Sequence, residues 1–214
     1  MNTDARMRAS RRAALERPDT LTVSGIIRPG NGVEEILLDS PFGRLTLRAT
    51  ERGICEVRLP TDGRKRSHQA AIRGAGSVSS RAGGYLRSLC SELERYFDGQ
   101  TVRFSAPLDL SAGTPFQRSV WRACVRIPHG QVRSYAELAA MAGSARGARA
   151  AGGAMAANPL AIVVPCHRVI RSDGAIGGYG GGATLKKKLL HLEKARRRST
   201  SPWPPLPWAP WAAS

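Results

Sequence analysis

The chain predicts an α/β protein of the α+β kind: a small sheet domain over residues 18–112, then a mainly helical domain over 113–195 that contains a helix-turn-helix. Three observations carry this reading. From about Leu21 to Phe104, apolar residues alternate with polar ones in short runs, the period of half-buried strands. Beyond Gly113 they recur every three or four positions, as on helices that bury one face. Between Tyr135 and Pro159, two short helical stretches flank a glycine on a basic background, the outline of a helix-turn-helix. With 42% hydrophobic residues in 214, the chain can fill a packed core.

Each element follows from local chemistry. Residues 1–17 hold five arginines and almost no apolar periodicity, so they cannot bury enough surface to offset the entropy of ordering and are expected to be a disordered tail. Leu45, Leu47 and Ala49 alternate with Arg44, Thr46 and Arg48, and Cys55, Val57 and Leu59 with Glu56 and Arg58, predicting two strands. Asp39-Ser40-Pro41-Phe42-Gly43 and Thr61-Asp62-Gly63 supply turn residues. Tyr85, Leu86, Leu89, Leu93, Tyr96 and Phe97 then recur at helical spacing until Asp98-Gly99 ends the helix. Phe116, Val120, Trp121, Cys124 and Val125 share a helical face, which makes Trp121 and Cys124 core residues.

Ser134-Tyr135-Ala136-Glu137 is a capping box that opens a helix through Met141, with Gly143 placed to end it. Ser144 can cap a second helix running toward Asn158-Pro159. That helix is almost bare: Ala148, Ala150, Ala151, Gly152, Gly153, Ala154, Ala156 and Ala157 give it little bulk. Each internal glycine costs about 1 kcal/mol of helix propensity, so close packing must compensate. One face packs on the core, and the other, with Arg149 as its long cation, suits close approach to a nucleic-acid backbone. Residues 196–214 carry five prolines and three of the four tryptophans, and read as a Pro/Trp-rich disordered tail of polyproline character.

Charge and cysteine usage narrow the function. A net charge of +17 and a pI near 11.2 argue for a polyanionic partner. Residues 113–193 carry eleven Lys and Arg against Glu137, Asp173 and Glu193, a net of +8, whereas 18–112 hold a net of about +2. The basic surface therefore belongs to the second domain. No segment approaches the roughly 20 apolar residues of a membrane span, and the N-terminal arginines precede no signal-like apolar run. Cys55, Cys90, Cys124 and Cys166 form no CxxC pair and no ligand spacing with His68, His129, His167 or His191, which speaks against a metal site or a disulfide framework.

Chemistry concentrates in Ile162-Val163-Val164-Pro165-Cys166-His167-Arg168-Val169-Ile170, where a thiol and an imidazole lie beside each other at the end of an apolar strand. A buried structural thiol is the ordinary fate of a free cysteine. The alternative is a nucleophile, since cationic His167 and Arg168 beside it would favour the thiolate. A glycine-rich loop, Gly177-Gly178-Tyr179-Gly180-Gly181-Gly182, follows soon after.

With Pro165-Cys166-His167-Arg168-Val169-Ile170, the Gly178-Tyr179 pair and Leu189-Leu190-His191-Leu192-Glu193, the segment resembles the active-site signature of the O6-alkylguanine-DNA alkyltransferases. Gly113-Thr114-Pro115-Phe116-Gln117 through Trp121 resembles the opening of that family's second domain. Val132-Arg133-Ser134-Tyr135 and the stretch from Ala148 to Pro159 resemble its helix-turn-helix. The likeness is strong over 113–193, weaker over about 20–112 and absent from the tails.

The resemblance implies a ribonuclease H-like N-terminal domain and direct-reversal DNA repair, in which the alkyl group of O6-alkylguanine, with O4-alkylthymine as a second candidate, passes irreversibly to Cys166. His167 would act as base through a bound water, since neighbours on an extended chain face opposite ways, and Glu193 would orient it. Tyr135 would press on the phosphate beside the lesion and donate to the departing guanine. Arg149 would enter the duplex in place of the extruded base, because a stacked guanine cannot present O6 in line to a thiolate. Ala148, Gly152 and Gly153 would lie along the DNA. Asn158 would brace the turn before the active-site segment. The carbonyls of Cys166 and Val169 would read the exocyclic amine, with Met155, Tyr179 and Gly180 lining the pocket. The implied partner is duplex DNA carrying O6-alkylguanine, with no cofactor, no metal and no membrane. The chain is expected to act as a monomer in the cytoplasm, on the nucleoid if it is prokaryotic.

The sequence departs from the family pattern in places. Gly180 stands where many members carry a serine, Ala156 replaces a basic residue of some members, and the N-terminal zinc ligands of certain eukaryotic members have no counterpart. Three other classes stay open on the residues alone. A lesion-binding protein without catalysis is opposed by Cys166, and a helix-turn-helix regulator would need more base-reading side chains than Arg146 and Arg149. A Cys-His hydrolase would need an oxyanion hole and repeated turnover. Restoring an alkylated Cys166 would take a second thiol nearby or a cofactor, and the sequence suggests neither.

Overall fold

Four strands, β1 (Val23–Gly30), β2 (Val33–Ser40), β3 (Gly43–Thr50) and β4 (Gly53–Arg58), pair antiparallel in chain order as one sheet. The structure, a computed structural model, describes residues 23–30, 32–60 and 80–195. Both expected tails and the Thr61-Asp62-Gly63 turn lie outside the described residues. The alternation in β2 and β3 is what the sequence requires: Ile36, Leu38, Leu45, Leu47 and Ala49 all point into the core. At the β2–β3 turn Ser40 pairs with Gly43, and Phe42 N–H donates to Ser40 Oγ at 3.2 Å. Gly53 adopts φ +147, and a Cβ there would lie 2.2 Å from the Pro107 carbonyl oxygen, so this turn requires glycine.

Helix α1 (Arg81–Phe97) lies across β2, β3 and β4. Ser80 caps it by accepting from Gly83 N–H at 3.0 Å, while its hydroxyl donates to buried Glu34 at 2.8 Å. Its apolar stripe, Leu86, Leu89, Leu93 and Tyr96, is wholly buried, worth about 1.5–3 kcal/mol for each large apolar side chain.

The second part holds α2 (Pro115–Val125), β5 (Arg133–Ser134), α3 (Tyr135–Met141), α4 (Ala148–Ala156), β6 (Val169–Ile170) and α5 (Gly182–Leu192). Thr114 and Gln117 form a capping box on α2, as Ser134 and Glu137 do on α3. Gly143, at φ +85, ends α3. Two expectations need correction. Val125, the last residue of α2, is 45% exposed and lies outside the core. Ser144 does not cap α4. Its carbonyl accepts from Gly147 N–H at 2.9 Å in an intervening turn, and Gly147 becomes the cap residue, with no side-chain bond.

Packing of α4 is one-sided. Ala151, Ala154 and Met155 are buried, and Trp121 Nε1 donates to the Ala154 carbonyl at 2.8 Å, fixing α2 on α4. Gly153 is exposed, and a Cβ there would meet nothing within 4 Å. The packing demanded of the glycines is therefore absent at Gly153, where the helix simply leaves its backbone open. One buried core cluster runs through both parts of the chain, and none of the described helices is long and apolar enough to cross a membrane.

Candidate active site

The two parts of the chain meet in front of Cys166. Val57 N–H of β4 donates to the Pro159 carbonyl at 2.8 Å, and Ala161 N–H returns to Val57 at 3.2 Å. From there the chain does not run as the apolar strand expected before Cys166. Ile162 turns at φ +71, Val164 N–H bonds back to Leu160 and Cys166 N–H to Val164, and residues Cys166–Arg168 form a 3-10 turn. A β-branched residue in that left-handed conformation is uncommon, and persists where surrounding contacts over-determine it. Here Val163 and Val164 are both buried. Since Cys166 and His167 share a helical turn, the opposite-face argument for holding them apart does not apply.

Behind the thiol, His167 is fully buried. Its Nε2 lies 2.8 Å from Glu193 Oε1. Glu193 caps the C-terminus of α5, 3% exposed, and accepts from several further donors: Arg168 Nε at 2.8 Å and Nη2 at 2.9 Å, Tyr96 Oη at 2.7 Å and Gly130 N–H at 3.2 Å. Burial alone would raise this carboxyl, but donation by His167 and Arg168 holds it far below the ordinary carboxylate range. A carboxylate can only accept, so Nε2 carries the proton and, in the neutral ring, Nδ1 is the basic nitrogen. Nδ1 is buried and has no hydrogen-bond partner among the described residues, Cys166 included. Burial lowers the imidazole below 6.5, against the raising pull of Glu193, so the ring is neutral at pH 7.

Cys166 itself is partly exposed as a residue, but burial of its sulfur pushes the thiol up. The Asn158 side chain, the charge of Lys186 and the backbone N–H groups of Cys166 and His167 pull the other way. The cation expected to favour the thiolate, Arg168, is instead committed to Glu193 and to the Ile127 carbonyl at 2.7 Å, and neutral His167 supplies no charge. Lys186 takes that place. It is fully buried, donates to the carbonyls of Val169 and Ile176, and is drawn down to about 8 by burial. A second thiol also lies close enough to interact with Cys166: Cys124, wholly buried and pushed well above 9. The sequence suggested no such neighbour. Burial keeps it protonated, and a protonated thiol is no nucleophile.

Around this centre the other site residues fall into place unevenly. Asn158 donates to the Val164 carbonyl and accepts from Leu160 N–H, both at 3.0 Å, which ties the end of α4 to the turn before Cys166. Tyr135, half-buried, packs beside Gly152 and Gly177; a Cβ on Gly177 would come 3.3 Å from its hydroxyl oxygen. Arg149, Gly153 and Gly180 are exposed, Ala148 is partly exposed and Met155 is buried. The Tyr179 ring stands edge-on to His167 at 6.5 Å, its hydroxyl buried without a partner among the described residues. The Val169 and Cys166 carbonyls already accept from Lys186 Nζ and Val169 N–H, so only their second lone pairs are left to read a base. No cluster of three metal-ligating side chains occurs among the described residues.

Tyr96, Gly130, Lys186 and the inward turn of Arg168 were missed by sequence reasoning. Tyr96 lies on an apolar stripe and reads as core. Lys186 opens a run of three lysines that reads as a solvated face, although its position between Leu185 and Leu189 is a helical signal of burial.

A partly exposed cysteine next in the chain to a buried imidazole–carboxylate pair, on a domain whose helix-turn-helix leaves backbone open, fits the class of DNA-binding proteins that do chemistry with one cysteine. Residues 115–195 match the DNA-binding domain of 6-O-methylguanine DNA methyltransferase, and residues 33–110 its ribonuclease-like domain. The chain is 42% identical over 161 residues to the methylated-DNA–protein-cysteine methyltransferase of Mycobacterium tuberculosis, covering 74% of this chain and 91% of that one. It is 38% identical over 167 residues to the Rattus norvegicus protein, covering 73% and 80%. Among solved structures, the Mycobacterium tuberculosis OGT in complex with DNA is 40% identical at a TM-score of 0.61, with 74% of this chain and 91% of that one covered. The chain belongs to the methylated-DNA–protein-cysteine methyltransferase family.

Proposed function

We propose that the chain repairs O6-alkylguanine in duplex DNA by moving the alkyl group to Cys166 in one displacement. The sulfur–carbon bond forms as the carbon–O6 bond breaks; the thiol proton passes through a water to His167 Nδ1, which releases it to solvent, and the departing guanine anion takes one proton from solvent to restore its ring N–H. The observation that carries this reading is the buried His167–Glu193 pair behind a partly exposed thiol. Nε2 is pinned by a carboxylate, so Nδ1 is the free base. Tyr135, between α4 and the Gly177 loop, donates to the leaving base, and Tyr179 walls the pocket. Arg149, on the exposed face of α4 with Ala148, Gly152 and Gly153, fills the gap in the duplex. The chain would act as a monomer.

The test is a single incubation with O6-methylguanine duplex, counting methyl groups per protein molecule. One equivalent, found on the peptide containing Cys166, is expected. Cys166→Ser should abolish transfer yet hold DNA affinity within a few fold, because basic side chains and not the thiol hold the phosphates. Repeated turnover would indicate a hydrolase, and binding without transfer a lesion-binding protein.

A further inference from the structure

We propose that Tyr96 is a positioning residue for the acid–base pair: from the N-terminal domain, its hydroxyl shares Glu193 Oε1 with His167 and limits how strongly that carboxylate charges the imidazole. This rests on the reading of His167 as the base for Cys166. The geometry is specific. Tyr96 Oη donates to Oε1 at 2.7 Å, stands 3.4 Å from His167 Nε2, and the residue is wholly buried. Its ring is held by Phe97 at 5.6 Å, Phe104 at 6.2 Å and the edge of His129 at 6.2 Å. A core tyrosine needs some partner for its hydroxyl, but this one bonds the same oxygen atom as the base.

Other charged and titratable groups face the ring and do not duplicate this. Arg168 grips both Glu193 oxygens from His167's own turn, Lys186 is committed to backbone carbonyls on α5's inner side, and Tyr179 presents its ring, its hydroxyl making no bond among the described residues. Cys166 precedes the ring in the chain, and His129 meets the Tyr96 ring edge-on. Among the described residues Tyr96 is the side chain of the sheet domain that bonds this pair. Burial and the adjacent Glu193 push its hydroxyl well above 10, so it stays a donor throughout the working range. Each donor to Oε1 withdraws negative charge from the bond to Nε2–H. Removing one strengthens the hold of Glu193 on the imidazolium and raises the pH at which His167 loses its proton.

The test uses the full chain with Tyr96→Phe, which keeps the ring and deletes the donor. Two readouts are followed against pH: the imidazole signal of His167 by NMR, and the single-turnover rate of methyl transfer. Both midpoints are expected to rise together by about half a unit or more, with DNA affinity unchanged. Should the variant fail to fold, 3-fluorotyrosine placed at position 96 makes a stronger donor and should move both midpoints down. An unmoved imidazole midpoint overturns the proposal, since a merely structural tyrosine would leave it in place. If the imidazole moves and the rate profile does not, the link from Tyr96 stands and His167 is not the base.

Discussion

Glu193 shows what one residue can carry. Its carboxylate gathers donors from one turn, one loop and a helix, and stripping it away leaves Arg168 buried and unpaired, a change of the kind that costs about 3–5 kcal/mol. The shifts also fix how stability depends on pH. The folded values of both His167 and Glu193 lie below their free values of 6.5 and 4.5, so the unfolded chain takes up protons first and stability is lost on acidification. The melting temperature should fall as pH drops below 6.5 and fall again below 4.5. His129, also lowered by burial, contributes to the first window; the share of His167 is the part of that fall missing in His167→Asn, and a fall unchanged in that variant would contradict this account. At Gly180 a Cβ would meet nothing within 4 Å. Gly180→Ser should therefore fold normally and slow benzyl transfer more than methyl transfer. Equal rates for both groups would place position 180 away from the alkyl group.

At the scale of elements, α4 trades stability for access. Its inner residues are held by Trp121 and the core, while Gly153 faces outward with no packing to offset its cost. Gly153→Ala should raise stability by about 1 kcal/mol, the helix-propensity difference. It should also weaken duplex binding if that face lies against DNA; a stabilised variant with unchanged affinity would show that it does not. Arg149→Ala should slow repair in duplex far more than reaction with free O6-benzylguanine, because a free base needs no extrusion. Equal slowing would assign Arg149 to the fold or the chemistry.

For the whole molecule, the site is a joint between domains, with β4 bonded to Pro159 and Ala161 and α1 to Glu193. A perturbation at Cys166 therefore reaches both. An alkyl group on its sulfur adds bulk to a packed turn, an overpacking cost of about 1–3 kcal/mol, and no proton remains for the base. The alkylated protein should melt below the free form by calorimetry, with the added mass confined to Cys166 although Cys124 lies nearby. Equal melting temperatures would mean that the site has slack to absorb the group.

Sequence by itself determined the elements whose causes are local. The alternation of β3, the Ser134–Glu137 capping box, the stop at Gly143 and the bare face of α4 are all properties of neighbouring residues. The segment around Cys166 was legible as chemistry because thiol, imidazole and glycine loop are contiguous, and the resemblance they carry named the reaction. What only the tertiary structure decided is what depends on distant partners. Whether Arg168 serves Cys166 or Glu193, whether Lys186 is solvated or buried, and whether Tyr96 fills the core or bonds the base pair are settled by groups far away in sequence. Even the strand expected before Cys166 was lost to such a contact: β4 bonds the chain at Pro159 and Ala161, and the segment turns at Ile162. Period and capping are read over a few residues, but a buried charge goes wherever the fold supplies its counter-charge.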